Sequence, residues 1–288
     1  MDKNELQEER RSIERSGIAA LSDLGNTLYR DLFVMLEHEQ AGFLANERSF
    51  ISPEYPWPRD PLHNWSRVWE YPYAFYHLEK WKKQLTGIPL PRIVDIGSGV
   101  TFFPFTIARM GCRVTCVDND PIVAHDLERA IHCTPCGTGS VEQVFADGAA
   151  LPIKNEEIDA VYCISVLEHV PSPDTVLKEL ARILKPGGML ILTIDLDMRG
   201  DAEIGVERYR SLTTLIHDLF THVYDVVTVH PLDMLLSSRG PYKIQNRGLL
   251  ERTKILLKQR VLRTLPIGQG APALSFDLAV TGMCLRRR

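Results

Sequence analysis

From Arg92 to Ile194 the chain alternates short apolar runs rich in Val, Ile and Leu with amphipathic segments. That alternation constrains the fold most, because strands buried on both faces pair in parallel only when helices carry the right-handed crossovers between them. The spacing predicts strands at 92–96, 113–117, 142–146, 158–164 and 189–194, with helices at 103–110, 122–131 and 174–184. The first run, IVDIGSGVTFF, ends in an acid and two glycines. A carboxylate in a buried strand costs several kcal/mol, on the order of an unpaired polar group, unless a partner hydrogen-bonds it. Asp95 therefore needs the backbone or a ligand, and Gly97 and Gly99 can bring backbone N–H groups close to one. Asp118 closes the second strand and Asp147 follows the third, so three successive strands place acids at the edge where open α/β sheets bind ligands.

Outside this block the signals are coarser. Residues 4–47 read as helix, and prolines 53, 56, 58 and 61 then enforce an extended connector before helix resumes near Tyr73. SLTTLIHDLFTHV predicts a helix, YDVVTVH a strand, and LSFDLAVTGMCLRR a closing antiparallel strand near an edge. The expected division is a helical, aromatic cap at 1–88, a ligand-binding core at 89–231, an insert or lid at 232–274, and the closing strand at 275–288.

Composition excludes some classes. With 44% apolar residues, 24% charged and a net charge of -4, the 288 residues fit a globular protein and lack the basic face a nucleic acid demands. The charged N-terminal text has no apolar signal core and no run suits a membrane span, so a cytoplasmic location is expected. Cys133 and Cys136 form one CxxC beside His132. No second ligand pair follows, so no metal is expected.

Taken together, VDIGSG, VDND, FADGAALPI and YCISVLEHVPSPDTVLKELARILKPGGMLILTI resemble the class I S-adenosylmethionine-dependent methyltransferases, in their small-molecule branch. The resemblance implies a Rossmann-like α/β sandwich with a mostly parallel seven-stranded sheet, its last strand antiparallel, and an N-terminal helical cap. It implies S-adenosylmethionine as cofactor and S-adenosylhomocysteine as product. Asp95, Gly97, Ser98 and Gly99 would hold the methionine end, and Asp118 with Asn119 the ribose. Asp147, Gly148 and Ala149 would take the adenine, and Ser165 and Val166 would border the sulfonium region. Thr101 stands where the fuller glycine pattern has a third glycine.

Methyl transfer needs an aligned nucleophile and, for a hydroxyl, a base. His169, Glu168 and His217 are the candidates, and His222, His230, Asp195 and Asp197 stay open beside them. Arg67 could meet the cofactor carboxylate and Tyr71 or Tyr73 close the pocket. The insert is rich in Lys and Arg, from Arg239 to Arg263, which suits an anionic acceptor. The expected activity is methyl transfer to a small-molecule or glycan acceptor, more often on oxygen than nitrogen. The alternatives are an NAD(P)-dependent oxidoreductase and a non-catalytic module built on this fold.

Overall fold

The structure, a computed structural model, describes residues 10–87, 90–198, 204–243 and 278–288. Eight strands form one sheet: β1 (Gly17–Ile18), β2 (Arg92–Ile96), β3 (Arg113–Asp118), β4 (Ser140–Phe145), β5 (Ile158–Ile164), β6 (Leu184–Asp197), β7 (Phe220–His222) and β8 (Leu278–Arg287). Their order is β1-β8-β6-β5-β2-β3-β4, with β7 also on β8. The β2, β3, β4, β5 and β6 pairings are parallel. β8 runs antiparallel to β6 from Met189↔Arg286 to Asp197↔Leu278, so the closing strand is flanked on both sides. Six helices accompany the sheet: α1 (Thr27–Leu44), α2 (Arg67–Gln84), α3 (Phe103–Arg109), α4 (Pro121–Cys133), α5 (Pro173–Ile183) and α6 (Val206–Leu219).

The mostly apolar character of β5, IDAVYCI, follows from burial on both faces, and its one acid, Asp159, is held by the Arg92 amide and Lys185. One apolar layer joins the sheet to α1, α2, α3 and α4 through Trp69, Tyr73, Phe103 and Leu127. The opposite layer uses Val176, Leu177 and Leu180 of α5 with Leu212 and Ile216 of α6. Burying one stripe of each helix in this way supplies most of the stability a surface helix has.

Three expectations need correction. Residues 4–47 are not one helix: β1 and a 3-10 turn at Ser22–Gly25 precede α1. Gly17 has φ +123°, and a Cβ there would lie 2.6 Å from the carbonyl oxygen of Val227, so the chain turns extended where helix was expected. Helix α2 begins at Arg67 rather than near Tyr73, passing through Pro72. Proline removes one backbone bond there, and stacking of Trp69 on Tyr73, 4.6 Å between ring centroids, helps offset that loss. YDVVTVH is not a strand, since Val226 makes only an isolated bridge to Ser16 while Phe220–His222 pairs with β8. Most of the insert, residues 244–274, and the first residues of the expected closing strand, 275–277, lie outside the described residues. Among the described residues no helix is long and apolar enough to cross a membrane, and no cluster of His, Cys, Asp or Glu could hold a metal ion.

Candidate active site

The parallel register aligns the ends of β2, β3 and β5: Asp95 sits opposite Cys116 and Tyr162, and Asp118 opposite Phe145. Asp95 is buried and accepts the Tyr162 hydroxyl at 2.9 Å. Burial, with the charge of Asp118 nearby, pushes its carboxyl well above the usual carboxylate range. Beyond it, Gly97 and Gly99 adopt φ +66° and +53°. The turn amides prove to be engaged within the protein: Gly97 and Ser98 donate to the carbonyl of Val117, Gly99 to Asp118 Oδ2 at 3.0 Å, and Val100 to the Tyr55 hydroxyl at 2.8 Å. The glycines thus supply a backbone shape and a side-chain-free surface rather than open donors.

Asp118 also accepts the Asp120 amide at 3.0 Å on its other oxygen. Each carboxylate oxygen has two lone pairs, so acceptor capacity remains for the hydroxyls of a diol. That chemistry fits a ribose. Asp147 holds its own turn through the Ala149 amide at 2.9 Å, and Gly148 packs on Ile96. The loops after β2, β3 and β4 therefore adjoin one another.

A second group of side chains lies past β5 and β6. A Cβ at Gly97 would meet Val166 at 2.6 Å, which sets the loop after β5 directly against the glycine turn. Ser165 has φ +47°, a left-handed conformation costing a non-glycine residue on the order of 1–3 kcal/mol. Its hydroxyl donates to Glu70 Oε1 at 2.6 Å, and its amide to Thr193. Glu70, fully buried in the first turn of α2, also receives the Arg67 guanidinium. Glu168 Oε1 accepts the Asp195 amide at 3.1 Å, while the buried Oε2 has no hydrogen-bond partner among the described residues. Burial, reinforced by the charge of Glu70, raises the Glu168 carboxyl to about 8. His169 stands at the rim of this group, and desolvation and Arg67 lower its pKa.

The structure thus gathers Asp95, Gly97, Ser98, Gly99, Asp118, Asn119, Asp147, Gly148, Ala149, Ser165, Val166, Arg67 and Tyr71 at one edge, with Glu168, His169 and Asp195. Arg67 pairs with Glu70 rather than standing open toward a carboxylate. Tyr71 packs on Phe102 and Phe103 beside the glycine turn, and Tyr73 instead hydrogen-bonds the Arg15 carbonyl. His217 is a correction. It ends α6, just before β7, whose residues pair with Leu285–Arg287 and so sit level with the start of β6, at the far end of the sheet from the acids. His222 shares that end. Two residues escaped sequence reasoning. Glu70 was passed over beside Arg67, although a carboxylate three residues after an arginine suggests an i,i+3 pair. Tyr55, in the proline-rich connector, carried no local signal. Ser52 fastens that connector to α4 through two bonds to buried Asp126.

Residues 94–192 match the methyltransferase domain family. They form a methyltransferase domain of the S-adenosylmethionine-dependent kind. An uncharacterized methyltransferase of Mycobacterium sp. (strain JLS) is 32% identical over 119 residues, 41% of this chain and 44% of that protein. The ubiquinone biosynthesis O-methyltransferase of Xanthomonas oryzae pv. oryzae (strain PXO99A) is 35% identical over 107 residues, 35% of this chain and 42% of that protein. The chain therefore matches less than half the length of these relatives. In fold, the cyclase SpnF aligns with TM-score 0.52 and 16% identity, covering 88% of this chain and 95% of that one. A geranyl diphosphate methyltransferase crystallised with geranyl diphosphate and sinefungin aligns with TM-score 0.52 and 14% identity, covering 74% and 77%. Tyr55, Arg67 and Glu70 precede the methyltransferase domain in sequence yet close its ligand edge.

Proposed function

We propose that this chain transfers a methyl group from S-adenosylmethionine to a small-molecule acceptor, with an oxygen nucleophile favoured. The observation that carries the reading is the convergence of the glycine turn, Asp118 and the Asp147–Ala149 turn at one edge of the methyltransferase domain. Asp118 is suited to the ribose hydroxyls, Asp147 to the adenine amino group, and Ser165 with Val166 to the region of the sulfur. Asp95, fixed by the Tyr162 hydroxyl, is suited to the methionine end of the cofactor. S-adenosylmethionine supplies a methyl group on a positively charged sulfur. The residues of the chain orient the nucleophile and accept its proton.

Oxygen is supported by the O-methyltransferase among the relatives and by a carboxyl group with an unpaired oxygen past β5. Next to the glycine turn, Glu70, Glu168 and Asp195 outnumber Arg67, so any anionic part of the acceptor would be held away from this wall. Basic residues of the insert are the candidates to meet it. Calorimetric titration with S-adenosylhomocysteine tests the cofactor assignment: binding in the micromolar range is expected, and absence of binding at millimolar concentration, with NADH bound instead, would replace it with the oxidoreductase alternative.

A second reading is favoured by one observation, the overall similarity to a protein named as a cyclase. One fold hosts many reactions. On that reading the cofactor binds but no S-adenosylhomocysteine forms with any acceptor in a broad panel of phenols, alcohols and amines.

A further inference from the structure

Three carboxyl groups, Glu70, Glu168 and Asp195, share a buried space with one guanidinium, Arg67. Two of the three are committed elsewhere: Glu70 accepts from Arg67 and Ser165, and Asp195 has the weaker 3.4 Å contact with Ser165. Glu168 differs. One oxygen is fixed by the Asp195 amide, and the other is buried without a hydrogen-bond partner among the described residues. Leaving a buried carboxyl oxygen unpaired is costly, so a bound ligand accounts for it better than packing among the described residues does. The glycine turn lies against the same loop through Val166.

We propose that Glu168 senses the charge of the cofactor: it is protonated in the free protein and releases its proton to solvent when a sulfonium binds, leaving a carboxylate able to accept the proton of an acceptor hydroxyl. The proposal rests on the cofactor reading above. The charged neighbours among the described residues bear on it. From α2, Glu70 opposes ionisation of Glu168 and Arg67 favours it; from β6, Asp195 adds a carboxyl group; from β5, buried Cys163 is a thiol held neutral. His169 on the same loop stays neutral at pH 7, its pKa being lowered, and Arg208 of α6 is turned to the carbonyls of Val170 and Pro171. A buried site with this excess of carboxyl groups accepts a positive charge most readily by ionising the one that still holds a proton. S-adenosylhomocysteine, with a neutral sulfur, gives no such drive. A hydroxyl suits the unpaired oxygen in either state, since it can both donate and accept.

The test is calorimetry of S-adenosylmethionine and S-adenosylhomocysteine binding in two buffers of different ionisation enthalpy, which counts protons released and needs no acceptor. At pH 7 a group titrating at about 8 is roughly nine-tenths protonated, so up to about 0.9 proton should leave with S-adenosylmethionine and close to none with S-adenosylhomocysteine. Correspondingly, S-adenosylmethionine affinity should rise by up to about tenfold per pH unit below pH 8, and S-adenosylhomocysteine affinity stay flat. Glu168→Gln keeps the oxygen that accepts the Asp195 amide and should abolish the difference, which a merely structural role would leave intact. Equal proton release with both ligands, or release that persists in Glu168→Gln, overturns the proposal while leaving the cofactor reading standing. Failure of both ligands to bind the wild-type protein overturns both. Should Glu168→Gln not fold, the wild-type comparison decides alone, and Glu70→Gln, which removes an opposing charge, should lower the proton count.

Discussion

The two halves of the ligand edge hold their acids in opposite ways. On the β2–β4 side, Asp118 and Asp147 lie at strand ends or in turns and take bonds from nearby backbone amides, with lone pairs to spare. On the β5–β6 side, Glu70, Glu168 and Asp195 come from distant parts of the chain and are buried against one another, with Arg67 and Ser165 between. Apart from buried Asp95, which takes its bond from Tyr162 of β5, the first half is preorganised by local backbone geometry. The second is held by tertiary packing and retains electrostatic stress, visible in the raised pKa of Glu168. Removing an acid from the first side should therefore cost binding, and removing one from the second should cost the fold.

The largest effect expected is that of Glu70→Ala. It strands Arg67 and deprives the Ser165 hydroxyl of its acceptor, and breaking a buried pair costs about 3–5 kcal/mol. For a chain of this size that lowers Tm by roughly 5–8 °C in a thermal melt. A drop of about a degree would show that the pair contributes little and would erase the contrast between the halves. Asp118→Ala should act the other way round. Losing charge-assisted bonds worth about 1.5–3 kcal/mol in total weakens S-adenosylhomocysteine binding by about 10- to 150-fold in calorimetry, with a smaller change in Tm than for Glu70→Ala. An Asp118 variant that melts early yet binds normally would invert the comparison.

Stability against pH gives a finer measure. Glu168 has a folded-state pKa above its unfolded value, so its favourable contribution is present below about pH 4.5 and is lost as pH rises to about 8. The Tm of Glu168→Gln should accordingly fall less than that of the wild type between pH 5 and pH 8. Parallel curves for the two proteins would mean that Glu168 titrates normally, and the stress assigned to the second half would lie elsewhere.

These differences also mark what the sequence could convey. Strands β2 and β5 carry their own signature, because burial on both faces forces mostly apolar text and the turn after β2 places glycines at positive φ. Asp118 and Asp147 were legible because a strand-terminal acid followed by a turn is a local pattern. Glu70 was not, since its role arises only when α2 meets the loop after β5, and nothing within a few residues of it encodes that meeting. Tyr55 was hidden for the same reason. The strand expected at YDVVTVH failed because apolar alternation there does not outweigh the place already taken by Phe220–His222 beside β8. Helix α2 starts six residues before Tyr73 and contains Pro72, with the stacking of Trp69 on Tyr73 spanning that proline, a contact that local text does not announce.

The smallest effect concerns His217, which distance in sequence past β6 left as a candidate base and which the register sets apart. Its helix returns from the ligand edge, so its last turn lies beside β7, and β7 pairs with the end of β8 that faces Met189 and Leu190. A strand residue advances about 3.3 Å, and Met189 and Asp195 are separated along β6 by six such steps, on the order of 20 Å. No side chain spans that. His217 is exposed and its ring neighbours His222, so its replacement removes no core contact. His217→Ala should leave S-adenosylhomocysteine affinity within about twofold and stability within about 0.5 kcal/mol of wild type, as for most surface positions. A tenfold loss of affinity in this variant would mean that the two ends of the sheet communicate, and the division of labour between the halves of the ligand edge would then have to include a third region.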